Sequence, residues 1–219
     1  MICYDYHMKL LLTSAGIVND SIAQSLFALV DKKPADIKLA FIPTAANIQE
    51  GNKAPWLFRQ YEDLRQLGIG WIDMVDFADA DVDWQSRLDE CDAFYLTGGN
   101  TFYLLDQIRK QGFDKYLEKT HKDKVYIGGS ASSITMTPTI DVATILPADP
   151  NLTGITDLTG LGYVDFEIEP HCDTARFIMI KEFAALNNKK IYAIDDQTAI
   201  QVIDGSIEVI SEGDWQLFE

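Results

Sequence analysis

Basic residues are scarce in this chain: 18 lysines and arginines stand against 34 aspartates and glutamates, for a formal net charge of -16. Nucleic acids and anionic membranes are held by clustered Lys and Arg that displace counterions, so neither is an expected partner. Cysteine is sparse as well. Cys3, Cys91 and Cys172 are widely spaced and form no CxxC pattern, which argues against a disulfide framework or a zinc site and for a reducing, cytoplasmic setting. The apolar run from Leu10 to Leu12 is too brief for a signal-peptide core, and no run approaches the roughly 20 apolar residues of a membrane span. GxGxxG is missing after the first predicted strand and GxxxxGK[ST] is missing throughout, which removes the familiar nucleotide-phosphate cradles.

What remains is ordinary globular material, 219 residues with 47% hydrophobic and 24% charged. That is enough for one sizeable core, and without repeats or linkers it reads as a single domain over residues 1–219. Strand-like runs at 8–13, 37–42, 69–75, 93–97 and 124–129 alternate with helical patterns at 17–30, 55–67 and 113–119 and with an amphipathic helix after Thr101 that carries Phe102, Leu104, Leu105 and Ile108 on its apolar side; a short helix is expected near 84–88. Strands alternating with helices at this pitch predict an α/β fold with a mostly parallel sheet covered on both faces, its ligands held beyond the carboxyl ends of the strands. Residues 137–162, rich in Thr, Pro and Gly, predict loops with a short strand or two. Beyond them come a strand at 163–169, a helix at 174–186, a strand at 190–194 and a hairpin turning at Asp204-Gly205.

The chemically suggestive stretch is Lys124-Val-Tyr-Ile-Gly-Gly-Ser130-Ala-Ser-Ser133. A buried strand that turns sharply through glycines into a helix lifts one side chain clear of the sheet and aims the following backbone N–H groups at whatever it attacks. Ser130 sits at that turn. Serine needs a general base, and only three histidines are present. His7 lies near the start of the chain and His121 in a polar run, whereas His171 follows Pro170 directly after a predicted strand, at the functional edge of such a sheet. Asp195 and Asp196, at the end of the 190–194 strand, stand out among many acids as candidates to orient the base. Gly98-Gly99-Asn100-Thr101 ends another strand, so that the Gly99 N–H can join that of Ala131 in an oxyanion hole.

The ordered set GGNT, GGSAS, Pro138-Thr-Ile140, Pro170-His171 and Ala193-Ile-Asp-Asp-Gln-Thr-Ala-Ile-Gln-Val202 resembles peptidase family S51 across nearly the whole chain. That family holds dipeptidase E, which cleaves after N-terminal aspartate, and the cyanophycinases. The resemblance implies a three-layer α/β/α sandwich of the class I glutamine amidotransferase type. It implies a serine peptidase acting on short peptides, with Ser130 as nucleophile, His171 as base, Asp196 as acid, and Arg176 and Asn100 as substrate contacts. No metal or organic cofactor is implied, and the oligomeric state stays open. Three departures from the family pattern accompany it: Ser132 replaces a glycine of the elbow, Asp196 replaces a Glu, and the segment between His171 and Arg176 is short. These keep two rival expectations in view, a non-catalytic binding relative and an amidohydrolase on the same fold.

Overall fold

The computed structural model describes residues 8–49, 54–120 and 122–219. Cys3, His7, His121 and the loop residues Gly51 and Asn52 lie outside the described residues.

Five parallel strands form the centre: β1 (Lys9–Thr13), β2 (Lys38–Ile42), β3 (Trp71–Met74), β4 (Ala93–Leu96) and β5 (Val125–Gly129). Two later strands, β8 (Thr198–Ile203) and β9 (Ser206–Ser211), extend the sheet in antiparallel fashion, giving the order β3-β2-β4-β5-β1-β8-β9. Their hairpin turns through Asp204 and Gly205, both at positive φ, the conformation that such a two-residue turn demands.

β4 and β5 are buried at every residue, as expected of strands covered on both faces. Successive side chains leave on opposite sides. Leu10, Leu12, Phe94, Leu96 and Tyr126 join one apolar cluster, which packs against α3 (Trp84–Asp89), α4 (Thr101–Gln111) and α5 (Phe113–Thr120). Leu11, Phe41, Tyr95 and Ile127 join the other, beneath α1 (Asp20–Val30) and α2 (Pro55–Gln66). Asn19 caps α1 by accepting the Ile22 N–H at 3.0 Å, and Asn100 caps α4 by accepting that of Tyr103 at 2.8 Å. Each cap is worth about 1 kcal/mol.

The chain after β5 departs from the expected single sheet. The four-residue α6 (Ala131–Ile134) leads into a loop region with a 3₁₀ turn at Asp141–Thr144 and an isolated bridge between Thr139 and Thr159. The strand expected at 163–169 is confined to β6 (Glu167–Glu169). β6 pairs in parallel with β7 (Ile191–Ile194), and β7 pairs with an unexpected antiparallel strand, β10 (Trp215–Phe218). This second sheet lies on the α3–α5 side of the first, contributing Ile168, Tyr192 and Ile194 to the cluster there. Its opposite face, Ile191 and Ala193, packs on α7 (Thr174–Asn187) through Phe177, Ile180 and Ala184. β7 therefore ends at the edge of a separate sheet, yet both β6 and β7 run toward Ser130 and deliver their following turns to it. Among the described residues no helix is long and apolar enough to cross a membrane.

Candidate active site

Ser130 stands between β5 and α6 with φ 52 and ψ -110. A non-glycine residue reaches this sparsely populated region only when its surroundings over-determine it. Its N–H donates to the Thr13 carbonyl at 3.0 Å, and its own carbonyl accepts from the Ser133 and Ile134 N–H groups at 2.8 and 3.0 Å. Gly128 permits the sharp return of the chain: a Cβ there would lie 2.9 Å from the Ser133 nitrogen.

Ser132, which takes the place of a glycine in the elbow, is fully buried and stitched in. Its hydroxyl accepts from the Gly129 N–H at 2.8 Å and donates to the Leu96 carbonyl at 2.6 Å. The extra hydroxyl thus ties the end of β4 to the elbow behind Ser130.

His171 and Asp196 arrive from the turns after β6 and β7. The Ser130 Oγ and His171 Nε2 are 3.0 Å apart, and His171 Nδ1 is 2.6 Å from Asp196 Oδ1. The three side chains expected from the sequence are therefore brought into one hydrogen-bonded chain, on a partly open edge of the molecule. The bond from His171, with a further one from Ser14, holds the Asp196 carboxyl below the usual carboxylate range. Asp195, the other candidate to orient the base, instead ties that turn together: it accepts from the Gln197 N–H, the Thr198 hydroxyl and the Asp214 N–H at 3.0, 2.7 and 2.7 Å. Cys172, next to His171, is no rival nucleophile, since burial pushes its thiol up to about 12.

Ser14 is not among the residues singled out from the sequence. It is fully buried beneath the constellation. Its hydroxyl donates to Asp196 Oδ1 at 3.0 Å and accepts the backbone N–H of His171 at 2.8 Å. His171 has φ 57, so Ser14 holds both a strained backbone and the acid that orients its ring.

Gly99 lies across from Ser130 with φ 146, and a Cβ there would fall 2.1 Å from the Ala45 carbonyl oxygen, so only glycine fits. Neither its N–H nor that of Ala131 has a hydrogen-bond partner among the described residues. Asn100 has little left to offer a ligand. It is 2% exposed, and beyond capping α4 its amide donates to the Pro150 carbonyl at 2.9 Å.

Two cavities flank the serine and share Gly99, Ser130, Asp149 and His171 as a common border. The larger, about 880 Å³, runs toward α2, with Trp56, Arg59, Gln60 and Asp63 on its wall. The smaller, about 440 Å³, runs toward the start of α7 and includes Arg176. The guanidinium of Arg176 is already engaged. Its Nε donates to Glu169 Oε1 at 2.6 Å, its Nη2 also meets Glu169, and its Nη1 donates to the Leu146 carbonyl at 2.6 Å. Glu169 is 4% exposed, and burial, opposed by Arg176, pushes its carboxyl up to about 7. A signal for this pair was present in the sequence: Glu167 and Glu169 fall on one face of a buried strand, which requires partners. Lys189 and Arg176 are those partners. Among the described residues no group of three or more His, Cys, Asp or Glu side chains could hold a metal ion.

Comparison with known proteins agrees with this architecture. An uncharacterized peptidase of Listeria monocytogenes is 30% identical over 176 residues, covering 74% of this chain and 80% of that one. A protein named peptidase E from Streptomyces coelicolor is 30% identical over 140 residues, 63% of this chain and 52% of its own. A crystal structure from Listeria monocytogenes, of a protein named for peptidase E, superposes with a TM-score of 0.77 at 26% identity, covering 94% of this chain and 99% of the other. A peptidase from an acI-B1 actinobacterium shares the fold, with a TM-score of 0.60 at 19% identity over 98% and 96% of the two chains. The fold is thus the α/β/α sandwich of the class I glutamine amidotransferase type. With the model of peptidase family S51 matching residues 10–210, the chain belongs to that family of serine-type peptidases.

Proposed function

We propose that the protein hydrolyses short peptides through a Ser130–His171–Asp196 triad. The observation that carries this reading is the continuous chain from Ser130 Oγ to His171 Nε2 and from His171 Nδ1 to Asp196, set between two cavities.

Ser130 Oγ attacks the scissile carbonyl carbon while its proton passes to His171 Nε2. The carbonyl oxygen takes up the electron pair and is stabilised by the unpartnered N–H groups of Gly99 and Ala131. Collapse of the tetrahedral intermediate breaks the C–N bond, and His171 returns the proton to the leaving amine. Water, deprotonated by His171, then attacks the acyl ester, and Ser130 leaves with its proton restored. Asp196 accepts the Nδ1–H throughout, which fixes the ring's tautomer and stabilises the imidazolium that forms twice in each cycle. Cavities on both sides of the serine suit a substrate with one residue on either side of the cleaved bond.

The test is turnover of a dipeptide and tripeptide library. Wild type is expected to release free amino acids and Ser130→Ala to release none. Turnover that persists in Ser130→Ala, or its absence from wild type across the library, would overturn the proposal.

A further inference from the structure

Arg176 reaches the smaller cavity, where a free guanidinium would bind a carboxylate side chain of the substrate. We propose instead that this cavity takes a neutral, apolar side chain of the peptide and rejects an acidic one, because Glu169 already occupies the guanidinium of Arg176. The inference rests on the peptidase reading above and names the substrate class of that site.

A guanidinium has five N–H groups, and it recognises a carboxylate best through two parallel bonds. In Arg176 the Nε–H and one Nη2–H meet Glu169, an Nη1–H meets the Leu146 carbonyl, and the second Nη2–H points to the Ile145 carbonyl at 3.3 Å. Four of the five are taken, so no two-pronged face is left for an incoming carboxylate. Displacing Glu169 would strand a buried carboxylate without its partner, which is strongly unfavourable.

Charge gives the same answer. Besides Arg176, the cavity is bordered by three carboxylates, Asp149, Glu169 and Asp173. Asp149 accepts from the Thr101 N–H and hydroxyl at 2.8 and 2.7 Å, and Asp173 caps α7 by accepting the Arg176 N–H at 2.8 Å. Both carboxylates are thus fixed in place, and a substrate carboxylate would meet more negative than positive charge. Away from Ser130, His171 and Thr101, the wall is largely apolar, with Ile134, Val142, Ala143, Ile145, Pro147 and Met179. A volume of about 440 Å³ accommodates a branched aliphatic side chain with its backbone.

The test is a positional panel of dipeptides with Leu, Asp or Lys at each side of the cleaved bond, assayed at pH 8, where Glu169 is ionised. At one of the two positions wild type is expected to favour Leu over Asp and over Lys by at least about tenfold in kcat/KM. Glu169→Gln removes the neutralising charge while keeping the side-chain shape, and should raise the Asp-to-Leu ratio at that position alone by about tenfold or more. The double variant Glu169→Gln/Arg176→Gln removes both charges and should keep the preference for Leu. A wild type that prefers Asp or Lys at both positions, or a ratio unmoved by Glu169→Gln, would overturn the inference while leaving the peptidase reading intact. Should Glu169→Gln fail to fold, the wild-type panel and the double variant decide. A panel with no hydrolysis at all overturns the peptidase reading and this inference with it.

Discussion

Replacing Ser14 with alanine removes a single hydroxyl that serves the triad from below, and the structure separates its two consequences. The first is structural. The His171 N–H loses its acceptor at 2.8 Å, and a buried donor left unpaired costs about 1–3 kcal/mol. At roughly 2–4 °C per kcal/mol for a chain of this size, the melting temperature should fall by about 2–12 °C. The second is catalytic. Asp196 Oδ1 loses a donor at 3.0 Å, and a hydrogen bond to a charged acceptor is worth about 1.5–3 kcal/mol. Where that bond serves to hold the acid against His171, its loss lowers kcat by about 10- to 100-fold and leaves KM within about twofold. The split between kcat and KM carries the distinguishing signature. Asp196 is held below the usual carboxylate range by His171 first and by Ser14 after it, so it stays ionised without Ser14 and what is lost is its placement against the ring. Steady-state kinetics at pH 8, with thermal melts on the same samples, read both effects. A Ser14→Ala enzyme that melts lower but keeps kcat within about threefold would refute the positioning role.

Two further predictions concern stability. Glu169 is raised from 4.5 to about 7 in the folded protein, so the folded state keeps a proton that the unfolded chain releases; the resulting stabilisation is complete below about pH 4.5 and is lost as pH rises through about 7, a change of about 3 kcal/mol. Urea titrations at pH 4.5 and pH 8 should show wild type losing about that much relative to Glu169→Gln, and an equal gap at the two pH values would contradict the burial argument. Ser132→Gly, which restores the glycine of the family pattern, should destabilise this chain by about 2–4 kcal/mol, because it leaves the Gly129 N–H and the Leu96 carbonyl without the hydroxyl that joins them. Denaturant midpoints measure this, and an unchanged midpoint would show that the hydroxyl contributes nothing.

The parallel core was legible because its signals are local. Hydrophobic runs such as Ala93–Leu96 and the Asp204-Gly205 turn each carry their structure within a few residues. Ser130, His171 and Asp196 were legible for a related reason, since each follows a strand end and the family pattern orders them. The second sheet was not legible. Residues 163–166 have the composition of a strand but pair with no neighbouring strand among the described residues, and Trp215–Phe218 becomes a strand only through pairing with β7, a tertiary fact. Ser14 illustrates the same limit: a serine after a strand usually breaks it, and its role depends on contacts 157 and 182 residues away. Arg176 reads as a substrate contact, and the residue that occupies its guanidinium, Glu169, lies seven positions earlier in β6, a pairing that only the fold brings about.

The central claim is that Ser130 is a nucleophile activated by His171. Intact-mass analysis after exposure to a fluorophosphonate tests it without knowledge of the substrate. The account predicts one phosphonyl adduct on wild type, mapped to Ser130 by peptide digestion, sharply slowed in His171→Ala and absent from Ser130→Ala. No adduct on wild type, or an adduct that survives Ser130→Ala, would contradict it.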